Sequence, residues 1–89
     1  MRAVISVIGK DKVGILAGVS AVCAECGMNV TDVTQSVLQD LFVMIMMVEF
    51  TDQAIPFATF SERLTQFGES KSLNIHVMHE DIFNCMHQI

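Results

Sequence analysis

Charge, and above all basic charge, is scarce in this chain: 17% of its 89 residues are charged, and five Lys and Arg stand against ten Asp and Glu, a net charge of −5. An acidic chain has the wrong sign for counterion-release binding to a phosphate backbone, which argues against nucleic acid as a direct partner. Trp and Tyr are absent, and the strands lack the aromatic pairs on which an RNA-recognition motif stacks bases. Long apolar runs are missing too. The most apolar stretch, Leu41 to Phe50, is half the length of a membrane-spanning helix, and Arg2 leads straight into a strand-like pattern rather than a signal-peptide core. Three cysteines cannot all pair internally, so reduced thiols and a cytoplasmic location are expected. What is present is apolar: 52% of residues are hydrophobic, enough to fold, and the length suits one domain over residues 1–89.

Periodicity divides the chain. Arg2 to Ile8 form a β-branched run that Gly9 and the polar Lys10, Asp11 and Lys12 stop, a first strand. Ile15, Leu16, Val19, Val22, Cys23 and Cys26 repeat with a helical period. Asp11 is a candidate N-terminal cap for this helix, and Gly27 supplies its C-terminal cap. Val33 and Val37 alternate with Asp32, Thr34 and Ser36, a strand with one wet face, and Gln39 and Asp40 connect it tightly to LFVMIMMVEF, predicted to be buried on both sides. Pro56 fits the first turn of a second helix, whose Phe57, Phe60, Leu64 and Phe67 face the sheet while Ser61, Glu62, Arg63 and Gln66 face water. Leu73 to Met78 make a last strand, and Glu80 to Ile89 a short amphipathic helix presenting Ile82, Phe83, Met86 and Ile89.

The order is β-α-β-β-α-β, the ferredoxin-like pattern of α+β proteins: a two-layer sandwich with an antiparallel sheet over 1–79, plus a C-terminal helical tail over 80–89. Helices cover one sheet face. Because Val43, Ile45 and Met47 alternate with Met44, Met46 and Val48, whichever set meets the helices leaves an apolar set uncovered, the mark of an interaction surface. The small residues Ala17, Gly18, Ala21 and Ala24 are expected on the outer side of the first helix, and with the two-sided strand they predict a homodimer.

The stretch VIGKDKVGILAGVSAVCAECGMNVTDVTQ resembles the ACT domain, in which a first strand runs into an Asp-x-x-Gly-Ile-Leu turn and helix and then a Gly-x-Asn-Val entry to the second strand. Asp11, Gly14, Ile15, Leu16, Gly27, Asn29 and Val30 sit on that pattern. The ending HEDIFNCMHQI is similar to the tail of small stand-alone ACT-domain proteins. The resemblance implies a regulatory module that pairs and binds an amino acid at the seam between subunits, acting on a separate partner protein, with Asp11, Gly14, Ile15, Leu16, Asn29 and Val30 as the ligand-binding residues. Physical chemistry is compatible with this. Unpaired amides at a helix N-terminus suit a carboxylate, Gly14 lets a ligand approach the backbone, Asp11 suits an ammonium group, and Asn29 both donates and accepts. A cap, a turn and a strand entry explain the same residues equally well. The alternative function is a ligand-free adaptor that docks on another protein through its apolar surface.

Other chemistries find little support. Cys23-x-x-Cys26 lies at the C-terminal end of its helix, where the dipole opposes thiolate, and both sulfurs fall on the apolar stripe, so small buried hydrophobes are expected rather than a redox pair. A zinc site would need Cys85 with His87 or His79 folded beside the first helix, and His76 and His79 lie on opposite strand parities. No Ser-His-Asp or Cys-His grouping has a recognisable spacing, and no arginine stands in the first loop to hold a phosphate in the manner of small ferredoxin-like enzymes. The expectation is a module that is not an enzyme and has no cofactor or metal.

Overall fold

The computed structural model describes residues 1–10 and 14–82. Its elements are β1 (Arg2–Gly9), α1 (Ile15–Glu25), β2 (Met28–Leu38), β3 (Leu41–Phe50), α2 (Phe57–Lys71) and β4 (Asn74–His79). The strands form one antiparallel sheet ordered β2-β3-β1-β4, as the β-α-β-β-α-β pattern predicts. Residues 80–82 are helical. The expected contributions of Phe83, Met86 and Ile89, like those of Asp11, Cys85 and His87, lie outside the described residues.

Strand parity builds the core. Ala3, Ile5 and Val7 of β1 and Phe42, Met44, Met46 and Val48 of β3 all turn to the helices, meeting Ile15, Val19 and Cys23 of α1 and Phe60 and Leu64 of α2. Phe50 stacks on Phe57, centroids 6.2 Å apart, and meets the edge of Phe60 at 5.9 Å. The other parity of β3 is covered by neither α1 nor α2: Leu41 and Ile45 are each 39% exposed, and Val43 and Met47 are half-buried. The expectation that this strand is buried on both sides is therefore corrected within a single chain. The helices α1 and α2 lie on one face, so among the described residues the second apolar set is left half-buried or exposed at the outer surface.

Local chemistry sets four further corrections. The helix α1 starts at Ile15 behind a left-handed Gly14 (φ 76°), so Gly14 rather than Asp11 holds the N-cap position, while Gly27 (φ 79°) follows the C-cap Cys26 as expected, its N–H bonded to the Ala24 carbonyl at 3.2 Å. Leu16 points outward, off the buried stripe. Gly18 faces α2 rather than outward: a Cβ there would come within 2.4 Å of the Phe67 ring, so the missing side chain lets the two helices close. Pro56 is the N-cap of α2, one position before its first turn. In β2 the ladder slips between Val30 and Asp32, a bulge at Thr31 whose hydroxyl donates to the Met47 carbonyl at 3.2 Å.

Candidate functional site

The head of α1 is the part of the chain on which the predicted site residues converge, and the fold separates them. Ile15 is buried and anchors the first turn in the core. Among the described residues nothing lies within 4 Å of where a Gly14 Cβ would be, and Leu16 is 39% exposed. A glycine carries no side chain with which to cap the first-turn amides, and its positive φ fits no other residue type as readily. Asn29 and Val30 sit elsewhere. Asn29 is level with Glu49 and Arg2, at the far end of the sheet from Gly9 and Phe42, a separation of about 23 Å at 3.3 Å per strand residue. Within one chain, then, Gly14, Ile15 and Leu16 form one group and Asn29 and Val30 another. Asn29 is exposed and Val30 half-buried.

The cysteines belong to the core. Cys23 and Cys26 are free and buried, and burial, reinforced by the neighbouring Cys26, pushes the Cys23 thiol up to about 12. A thiol held neutral in this way is inert as a nucleophile. Among the described residues no three His, Cys, Asp or Glu side chains group as metal ligands. His76 and His79 are on opposite sheet faces: His76 is level with Ser6 on the outer face, and His79 with Ala3 on the helix face. The His79 Nδ1 accepts a hydrogen bond from the Asp81 N–H at 3.1 Å.

Two polar features escaped the sequence reading. Arg63, expected to face water, reaches from the middle of α2 to Glu25 (2.6 Å) and to the Cys26 Sγ (3.3 Å), tying it to the C-terminal end of α1, and its pKa is raised chiefly by the Glu25 hydrogen bond. At the other end of the sheet, a depression of about 320 Å³ is lined by Ile8, Gly9, Lys10, Leu41, Lys71, Ser72 and Asn74. A second, of about 240 Å³, lies beside the β2–β3 turn against Lys10, Val37, Gln39, Asp40 and Phe42. The pairing of Lys10 with Lys71 joins residues far apart in sequence, so no spacing announces it. The signal that was available is the scarcity of cations itself.

Residues 2–78 match the model of the ACT domain. The chain belongs to the ACT domain family. It is 44% identical over 88 residues to a UPF0237 protein of Methanocaldococcus jannaschii, an alignment spanning 99% of this chain and 98% of that one. Among solved structures it is similar to an ACT domain protein from Streptococcus pneumoniae, at 38% identity and a TM-score of 0.82 over 93% of both chains. It also superposes on a formyltetrahydrofolate deformylase from Pseudomonas putida at a TM-score of 0.76 and 14% identity, covering 89% of this chain and 29% of the deformylase; that likeness is one of fold. ACT domains are regulatory ligand-binding modules, and the ACT unit here accounts for nearly all the described residues. Among the described residues no helix is long and apolar enough to cross a membrane.

Proposed function

We propose that this ACT domain is a cytoplasmic homodimeric sensor: a free amino acid binds at the seam between two subunits, and the occupied dimer acts on a separate partner protein. The observation that carries the reading is the open, left-handed Gly14 at the head of α1, a place where a ligand meets backbone without displacing any side chain. The carboxylate goes to the amides of Gly14 and Ile15, where the helix dipole favours negative charge. The ammonium group goes to Asp11, Leu16 packs against the ligand's apolar part, and Asn29 and Val30 come from the second subunit. The eleven residues of α1, about 17 Å at 1.5 Å per residue, lie between Gly14 and the entry to β2 at Asn29 in a single chain, so a shared site is the arrangement by which both touch one ligand. The exposed Ala17, Ala21 and Ala24 on α1 and the apolar outer sheet face offer close approach to a second copy.

The test is a thermal-shift screen of the full chain against the twenty amino acids. At a hundredfold excess over its dissociation constant, a ligand stabilises its site by about 2.7 kcal/mol. In a domain this small that corresponds to a rise on the order of ten degrees. One amino acid is expected to give this rise, Asp11→Ala to remove it with the fold retained, and Asn29→Ala to reduce it. If no amino acid moves the melting temperature at millimolar concentration, the sensor reading fails. The second reading then stands, a ligand-free adaptor docking through Leu41, Val43, Ile45 and Met47; it is favoured by the apolar stripe of β3 that neither α1 nor α2 covers.

A further inference from the structure

The described residues include four Lys and Arg side chains, and they divide evenly. Arg2 is paired with Glu80 and Arg63 with Glu25, whereas among the described residues Lys10 and Lys71 form no ion pair. Both of these line the same depression, between the end of β1 and the start of β4, and among the described residues no carboxylate lines it. In a chain of net charge −5, carboxylates outnumber cations two to one, so two ammonium groups in a pocket with no carboxylate among its described lining residues run against the molecule's charge.

The rest of the pocket has the same bias. Ser72 and Asn74 bring a hydroxyl and an amide that can donate, and Ile8 and Leu41, each more than a third exposed, give an apolar floor on the outer sheet face. Ser72 is the second observation. It adopts a left-handed conformation, φ 59° and ψ 41°, at the C-cap of α2, a position where glycine is the usual residue because a Cβ is disfavoured there. Backbone strain held at one point is a reason to look for a role for the side chain that causes it. Its own N–H and that of Leu73 bond the Glu69 and Gly68 carbonyls, so two of the helix-end carbonyls that would repel an anion are already engaged. Lys71 would also serve the dipole at this helix end; Lys10, on the β1 side, has no such use.

We propose that this depression binds a small organic phosphate monoester, its head between Lys10, Lys71 and Ser72 and its apolar substituent on Ile8 and Leu41. The head of such an ester carries between one and a half and two negative charges near neutral pH, matching two ammonium groups better than a monocarboxylate does. About 320 Å³ lies at the small end of ligand pockets. The site shares no residue with the amino-acid site at Gly14 and does not rest on that reading, and the probes below contain no amino group.

The experiment follows backbone amide resonances of the full chain during titration with phenyl phosphate, inorganic phosphate and, at matched ionic strength, sodium chloride. Phenyl phosphate is expected to move Gly9, Lys10, Ser72 and Asn74 saturably and to bind several-fold more tightly than inorganic phosphate. The double variant Lys10→Gln, Lys71→Gln should weaken it at least tenfold. Ser72→Gly should weaken it several-fold while the melting temperature holds or rises, an outcome that a purely structural Ser72 would not give. Shifts that chloride reproduces, or binding that survives the double substitution, would overturn the proposal.

Discussion

The two sides of β3 carry nearly the same chemistry and meet opposite fates. Phe42, Met44, Met46 and Val48 are almost wholly buried under the helices, whereas Leu41, Val43, Ile45 and Met47 alternate with them and remain half-buried or exposed. Hydrophobicity therefore does not decide which set becomes core. Connectivity does: both crossovers place α1 and α2 on the same face, and the set that neither covers is left, among the described residues, as surface that a solitary small domain has little reason to make so apolar.

The sharpest way to break this comparison is to truncate one residue from each side. Met46→Ala should cost about 2–5 kcal/mol, while Ile45→Ala should change the stability of the isolated chain by no more than about 0.5 kcal/mol. Urea unfolding at several protein concentrations measures both. An Ile45→Ala cost that grows with concentration would mean that a second copy covers the outer face; equal, concentration-independent costs would remove the distinction between the two sides.

A smaller effect compares the two left-handed glycines. At Gly27 a Cβ would meet the Gln53 carbonyl oxygen at 2.5 Å, whereas at Gly14 it would meet none of the described residues within 4 Å. Gly27→Ala should therefore cost more than about 2 kcal/mol, the backbone clash adding to the left-handed penalty, and Gly14→Ala only that penalty, about 1 kcal/mol. Thermal unfolding of the two variants is the measurement.

The smallest effect is a pH dependence. Burial lifts Cys23 from 9.0 to about 12, so between those values the unfolded chain loses this proton while the folded chain keeps it. With fewer protons bound by the unfolded state, stability falls as pH rises through this window and is fully present below pH 9. The decline from pH 9 to pH 10 should be shallower in Cys23→Ala than in the wild-type chain, and a disulfide reagent at pH 8 should label Cys23 only after unfolding.

The β-α-β-β-α-β order, the core stripe of α2 and the turn at Gly27 were legible because each depends on residues close in sequence. Helical spacing put Phe60 and Leu64 on one side, and a glycine after an apolar stripe marks a helix end. Gly18 was misread because its neighbour Phe67 is distant in sequence, so small size looked like an outer surface when it was room for a ring. Leu16 was misread because a helical stripe has two margins, and periodicity does not say which one the sheet covers. The head of α1 at Gly14 and Ile15 was legible because the glycine closes a polar turn just before the apolar stripe. Arg63 with Glu25 and Lys10 with Lys71 were not, because long side chains from separate elements meet only after the sheet has aligned them.

The bulge at Thr31 has a consequence for the chain's life among its own copies. Edge strands with free amides invite other strands to pair, and an eleven-residue edge such as β2 would be a template for runaway stacking in a protein that is half hydrophobic. The bulge at Thr31 breaks that template into two short pieces out of phase with each other, and Asp32 places a charge at the join. A neighbouring β2 can zip onto one piece at a time, so orderly assembly keeps a defined stopping point and fibrous growth along this edge loses its register.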